Sequence, residues 1–205
     1  MVACAHRSQC INASGHREPW VMGQGAKPMR QEEIEARSYE VLRVDMGRTV
    51  KAVMEVAEFQ GRGRVWIASD RSILVTRNGR IVRTAGFKTD LRDAISRDLE
   101  PLDGASKGKL AKAVRLTRQM EWAGKEPGSY SARVILKPVT SETIKILDQT
   151  FQTQVIEESI EVKALNWAVT NHYWLDVANG TVQRTVQLFH PSSVPLTLEI
   201  LRPAA

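Results

Sequence analysis

The sequence predicts a mainly β protein: an antiparallel β-sandwich or open barrel built from hairpins, with one short N-terminal helix. Three observations carry that prediction. Two Asn-Gly pairs, Asn78-Gly79 and Asn179-Gly180, each sit between β-branched runs. Further runs rich in Val, Ile and Thr recur with turn residues between them. Only one segment, near the N-terminus, repeats its apolar residues at a helical spacing.

Composition sets the frame. The 205 residues are 42% hydrophobic and 25% charged, which is globular and excludes a disordered chain. One domain is the default at this length, with a core that needs no disulfides. Both cysteines, Cys4 and Cys10, fall in the first ten residues, so no disulfide framework can be built. The four histidines, His6, His16, His172 and His190, are scattered, and no metal site is expected. No run of about 18 apolar residues occurs, which excludes a membrane-spanning helix. The net charge of +6 permits an anionic partner without choosing among nucleic acid, an acidic membrane surface and an acidic polysaccharide.

Residues 1–30 mix Gly, Pro, His, Arg and Gln without an apolar period and read as a flexible tail. Residues 31–205 read as a single β-rich domain. Gln31 to Met46 carries the helical pattern, with Glu32, Glu33 and Glu35 early, where the helix dipole favours acids, and Gly47 as a stop. Val50 to Phe59 and Arg64 to Ser69 read as strands, and Gly61-Arg-Gly63 as the turn between them. Ile73 to Thr84 is a hairpin whose Asn78-Gly79 turn calls for positive φ at both central positions. That turn opposes Arg77 to Arg80, Thr76 to Ile81, Val75 to Val82 and Ile73 to Thr84. Ile73, Val75, Val82 and Thr84 then share one face, and Leu74, Thr76, Ile81 and Arg83 the other.

Asp103 to Lys112 reads as an exposed loop. Leu110 to Trp122 fits neither period cleanly and is assigned to strand. Glu126-Pro-Gly-Ser129 is a turn, followed by strands at Tyr130 to Leu136, Ile144 to Leu147 and Thr150 to Val162. A second hairpin runs from Tyr173 to Phe189 with Asn179-Gly180 in its turn, opposing Ala178 to Thr181 and Val177 to Val182. Tyr173, Leu175, Val177, Val182 and Val186 would share a face with Arg184. A last strand spans Leu196 to Leu201. The two hairpins share N-G-x-[I/V]-x-R-T, 101 residues apart. Convergence on hairpin chemistry and internal duplication both account for the match.

Catalytic signatures are absent: no G-x-S-x-G elbow, P-loop, G-x-G-x-x-G after a strand, or H-E-x-x-H occurs. His172 lacks an assignable nucleophile and orienting acid. The carboxylate pairs Glu157-Glu158 and Asp90/Asp93 suggest no glycosidase geometry. No catalytic residue and no cofactor is expected. Nor is nucleic acid an expected partner, because no helix-turn-helix, zinc finger or aromatic RNA-binding pattern appears. Arg77 and Arg80, opposed at a hairpin tip, repel each other unless an anion lies nearby. That anion can be an acidic residue of this fold, a partner protein or an anionic glycan; a solvated, screened tip is the plainer alternative. Trp66, Trp167, Tyr173 and Trp174 could stack on sugar rings or serve as core anchors.

Trp66-Ile-Ala-Ser-Asp70, Leu74-Val-Thr-Arg-Asn-Gly-Arg-Ile-Val-Arg-Thr-Ala-Gly86 and Asp90-Leu91 resemble the group 4 capsule polysaccharide lipoproteins, the YjbF/GfcB family. So do Glu157-Glu158, Asn171-His-Tyr-Trp-Leu-Asp176, Gly180-Thr-Val-Gln-Arg-Thr-Val-Gln187, Pro191 and Glu199-Ile-Leu-Arg-Pro203. The resemblance runs from about residue 34 to 203 and is weakest between about 103 and 130. It implies a non-enzymatic, mostly β outer-membrane lipoprotein, an accessory of capsule or exopolysaccharide secretion. Met1-Val-Ala-Cys4 resembles the end of a lipobox, although the charged start and apolar segment of a lipoprotein signal do not precede it here. Acylation of Cys4 would make residues 5–30 a tether to the periplasmic face of the outer membrane; a soluble periplasmic form is the alternative. Expected partners are export proteins and an anionic polysaccharide, with Arg77, Arg80, Trp66 and Trp174 as candidate contacts. Reversing Arg77 and Arg80 together to glutamate is expected to leave folding intact. A polysaccharide-modifying enzyme of the periplasm is the competing class, favoured if His172 is buried against an acid in a deep pocket.

Overall fold

The computed structural model describes residues 31–47, 51–61, 63–96, 100–102, 109–123 and 128–202. The expected tail with Cys4 and Cys10, the loop residues 103–108 and Glu126-Pro127 lie outside them. Among the described residues a single short α-helix, α1 (Gln31–Glu35), precedes β1 (Val41–Asp45), β2 (Lys51–Gln60), β3 (Gly63–Ala68), β4 (Ile73–Arg77), β5 (Arg80–Ala85) and β6 (Leu91–Ser96). Then come β7 (Val114–Trp122), β8 (Gly128–Ile146), β9 (Gln149–Val162), β10 (Trp167–Asp176), β11 (Val182–Gln187) and β12 (Leu196–Arg202). Among the described residues these strands form one antiparallel sheet in the order β5-β4-β3-β2-β1-β12-β11-β10-β9-β8-β7-β6. The sheet rolls into a nearly closed, barrel-like shell, with β5 and β6 at its two free edges.

The helical reading of Gln31 to Met46 holds only for the first five residues. Val41 and Leu42 are adjacent apolar residues that are both buried, which no single helical stripe requires. As part of β1, flanked by β2 and β12, they point to opposite faces of the sheet, as the period of two dictates. Leu42 and Val44 join Met54, Trp66, Leu198 and Ile200 in the barrel core. Val41 joins a second apolar cluster with Ile34, Ile144, Ile146 and Leu201. The long β8–β9 hairpin supplies two of those side chains. Its ladder shifts register between Pro138 and Thr140, where proline has no N–H to donate to the ladder.

In the first hairpin Asn78 and Gly79 have φ of +42° and +79°, as the tight turn requires. Arg77 opposes Arg80 and Thr76 opposes Ile81, as expected. A bulge between Val75 and Thr76 then moves the pairing by one, so Val75 faces Arg83 and Leu74 faces Thr84. Because one extra residue flips the faces beyond it, the buried set is Leu74, Thr76, Ile81 and Thr84: the expected grouping of Leu74, Thr76 and Ile81 holds, with Thr84 in the place expected for Arg83. The second hairpin departs further. Only Gly180 has positive φ there, and a wider loop separates Asp176 from Val182. Asp176 N–H donates to Thr181 O at 2.8 Å and Gly180 N–H to Asp176 O at 2.9 Å. Val182 faces Leu175 rather than Val177. The shared heptapeptide pattern therefore does not extend to turn geometry.

The first turn also makes a long-range contact. A Cβ at Gly79 would lie 2.6 Å from Val182 Cγ1 and 2.7 Å from Val182 Cβ. The tip of the β4–β5 hairpin thus rests on β11 at a spacing only glycine permits. Gly47 has the same φ, +79°, with open space around it. Gly79→Ala is therefore expected to cost about 1–3 kcal/mol more than Gly47→Ala, the difference being the overpacking term. Thermal melts should show it at about 2–4 °C per kcal/mol for a chain of this size.

Candidate functional site

Alternation on two strands brings charges inward. On β7 the buried positions Leu116, Arg118, Met120 and Trp122 follow a period of two, so Arg118 projects into the shell. On β9 Ile156, Glu158, Ile160 and Val162 do the same for Glu158. Arg80 comes from the start of β5, and Glu100 from the segment after β6. All four are enclosed: Arg118 is 1% exposed, Arg80 3%, Glu100 7% and Glu158 0%.

Four ion pairs link them in a ring. Arg118 Nη1 lies 2.9 Å and Arg80 Nε 3.3 Å from Glu158 Oε1. Arg80 Nη2 donates to Glu100 Oε2, and Arg118 Nη2 lies 3.6 Å from Glu100 Oε1. The other Glu158 oxygen, Oε2, accepts from the Tyr173 hydroxyl at 2.6 Å and from Asn171 Nδ2 at 3.2 Å. Gln187 completes the surroundings. Its Oε1 accepts from Ile81 N–H at 3.0 Å, and its Nε2 donates to Gly79 O and Thr185 Oγ1, both at 2.8 Å. Charges withdrawn from water are tolerated only when paired in this way.

The titration behaviour follows. Burial by itself would raise the Glu158 pKa, but the Arg118 and Arg80 guanidiniums and the Tyr173 hydroxyl outweigh it and bring the carboxyl down to about 2. Burial, and then the Glu158 charge, push the Tyr173 phenol well above its ordinary value. Arg118 stays charged: the coulombic pull of Glu158 and Glu100 overcomes the desolvation that opposes it.

The sequence-predicted contacts are not gathered in one place. Arg77 is exposed and Arg80 is buried, although they are cross-strand neighbours. The anion that accompanies Arg80 is an acidic residue of this fold, Glu100 on one side and Glu158 on the other. Trp66 is 1% exposed and donates to Thr76 Oγ1 at 2.9 Å, as a core anchor does. Trp174 lies across the sheet, half-buried against the second apolar cluster. Its Nε1 donates to Glu142 at 2.8 Å, and the Arg184 guanidinium sits 5.8 Å from its ring. Tyr173 is fully buried. His172 is 37% exposed, 3.7 Å from Glu157, and Lys137 bonds the same glutamate at 2.8 Å, lowering its pKa. Among the described residues no group of three or more His, Cys, Asp or Glu gathers to hold a metal ion, and no helix is long and apolar enough to cross a membrane.

Sequence reasoning missed Arg118 and Glu100 and left Glu158 without a partner. The signal for Arg118 and Glu158 was present: each is a charge at an inward position of an alternating apolar strand. Glu100 carried no comparable signal, because it lies outside any strand.

Fold and site together define a class: a rolled antiparallel β-shell whose interior charges are spent on one another. The chain belongs to the family described as Group 4 capsule polysaccharide lipoprotein gfcB, YjbF, whose profile matches residues 18–201. It is 25% identical over 178 residues to the uncharacterized lipoprotein GfcB of Escherichia coli K12, covering 84% of this chain and 80% of that protein. To the uncharacterized lipoprotein YjbF of the same organism it is 24% identical over 140 residues, 68% of this chain and 64% of that one. The crystal structure of the hypothetical lipoprotein YmcC from E. coli K12 superposes with a TM-score of 0.77 at 21% identity. That match spans 85% of this chain and 89% of the other, and it speaks to the fold.

The Glu158 carboxyl has its pKa lowered on folding, so its contribution to stability is complete above the ordinary carboxylate value of 4.5. It should be lost as pH falls from there towards about 2, read as a falling denaturation midpoint across that window. Glu158→Gln, which leaves two guanidiniums facing a neutral group, is expected to cost about 3–5 kcal/mol and to flatten the acid limb. Tyr173→Phe should cost about 1.5–3 kcal/mol, the range for a hydrogen bond to a charged group. Arg77→Glu alone should leave the melt nearly unchanged. Arg80→Glu, expected from sequence to be tolerated, should unfold the chain, because it would bury a third carboxylate beside Glu100 and Glu158.

Proposed function

We propose that this chain is a non-enzymatic lipoprotein accessory of capsule or exopolysaccharide secretion, held at the periplasmic face of the outer membrane through Cys4. It works by docking export partners or the polymer. The observation that carries this reading is membership of a capsule polysaccharide lipoprotein family over residues 18–201. The site's chemistry supports the non-enzymatic part. The most perturbed titratable groups, Glu158 and Tyr173, are engaged with each other and with Arg118 and Arg80 in the closed interior. A catalytic acid or base needs a free face towards its substrate. His172, the residue nominated for a competing enzymatic role, is half exposed on the surface beside Glu157 and Lys137.

Deleting the gene in its native host should lower the polysaccharide recovered from the cell surface several-fold, with polymer accumulating inside, and the native chain should restore export. Cys4→Ser should shift the protein from the membrane to the soluble periplasmic fraction. Unchanged surface polysaccharide on deletion would overturn the secretion role. A Cys4→Ser protein that still fractionates with the outer membrane would overturn the anchor.

A further inference from the structure

The free edges of the sheet meet unevenly. At their connected ends β5 and β6 are stitched by side chains around Thr84 and Asp90. Leu91 N–H donates to Thr84 Oγ1 at 2.9 Å, and Thr84 Oγ1 donates to Asp90 Oδ1 at 3.0 Å. Gly86 N–H and Phe87 N–H both donate to the Asp90 carboxylate. One step on, Arg83 Nε reaches Arg92 O at 3.1 Å. Beyond that point the strands part around a cleft of about 290 Å³. Arg80 and Glu100 line it, so the slot leads from the surface to the edge of the buried ion ring.

The lining narrows the class of ligand. Two cationic residues, Arg77 and Arg80, are matched by two anionic ones, Asp93 and Glu100. A polyanion or a polycation would each meet like charge on half the wall. Among the described residues Arg80 Nη1 has no hydrogen-bonding partner, although the side chain is 3% exposed. That nitrogen is itself closed to solvent, so the slot ends on a covered guanidinium and its open wall supplies the polar contacts. A hydroxyl donates and accepts at once, which suits a wall where guanidinium, carboxylate and the Ser96 hydroxyl alternate. Val82 and Ile95, the latter 56% exposed, add apolar surface for the C–H face of a ring. The volume is at the small end for ligand clefts.

We propose that the β5–β6 slot is a saccharide-binding site that takes a neutral, hydroxyl-rich segment of a glycan. The assignment rests on the polysaccharide reading above and gives that reading a location. It also replaces the sequence-based expectation of an anionic glycan at Arg77 and Arg80 with a neutral one, because Glu100 and Glu158 already balance Arg80.

The test is an NMR titration of the ¹⁵N-labelled full chain with cellohexaose, with an oligogalacturonate of equal length as the charged comparison. Cellohexaose should shift the amides of Val82, Ile95 and Ser96, more strongly than the oligogalacturonate does. Ile95→Trp fills the slot without touching the ion ring. It should weaken cellohexaose binding at least tenfold while leaving the thermal melt unchanged. Val82→Trp, from the opposite wall, should do the same, and serves if the first variant melts early. No shift with either saccharide, shifts confined to the Trp174 face, tighter binding of the oligogalacturonate, or binding untouched by both tryptophans would each overturn the assignment. None of these results bears on the deletion experiment, so the slot can fail while the secretion role stands.

Discussion

Two arginines and two glutamates cannot leave water separately. Each of these charges is stable inside the shell only because the others are there, and they come from parts of the chain far apart in sequence: the starts of β5 and the post-β6 segment, the middle of β7 and the middle of β9. Forming the ring therefore demands that these strands already lie in the right register. A slip of one residue on β7 or β9 would turn Arg118 or Glu158 outward and leave its partners stranded. Pairs of this kind contribute little net stability against a well-packed apolar core. Their sharper effect is to penalise every wrong arrangement, which here means every alternative pairing of long strands with similar apolar sequences.

The ring also explains how an incompletely closed sheet keeps its shape. No backbone ladder joins β5 to β6 among the described residues, so the β5 edge needs other fastenings. Arg80 ties it to β9 through Glu158 and to the post-β6 segment through Glu100. Gln187 ties it to β11 through the Ile81 N–H and the Gly79 carbonyl. Gly79 lets the turn come close enough for those bonds to form. Side chains thus do across the interior what main-chain hydrogen bonds do elsewhere along the sheet.

Much of the architecture was legible from local chemistry. The Asn78-Gly79 turn announced its own geometry because two adjacent positive φ angles have few other solutions. The alternating runs around Tyr130 and Gln154 announced strands for the same local reason. What was not legible depended on neighbours distant in sequence. Val41 and Leu42 suited a helix until two flanking strands and an outer cluster covered both faces. Arg80 looked like a solvated tip residue because nothing nearby revealed that the tip folds in over β11. The Val75–Thr76 bulge left no trace in composition, yet it exchanged Arg83 for Thr84 on the face of Leu74, Thr76 and Ile81. Arg118 and Glu158 could have been suspected, since a charge in step with Leu116 and Met120, or with Ile156 and Ile160, has nowhere to go but inward.

The place where the described chain begins has a geometric consequence. Helix α1 packs against β12, which lies near the middle of the strand order, five strands from one free edge and six from the other. In a rolled sheet that is the flank opposite the gap. The described chain therefore enters the shell from behind, and the slot between the two unpaired strands opens on the far side from that entry.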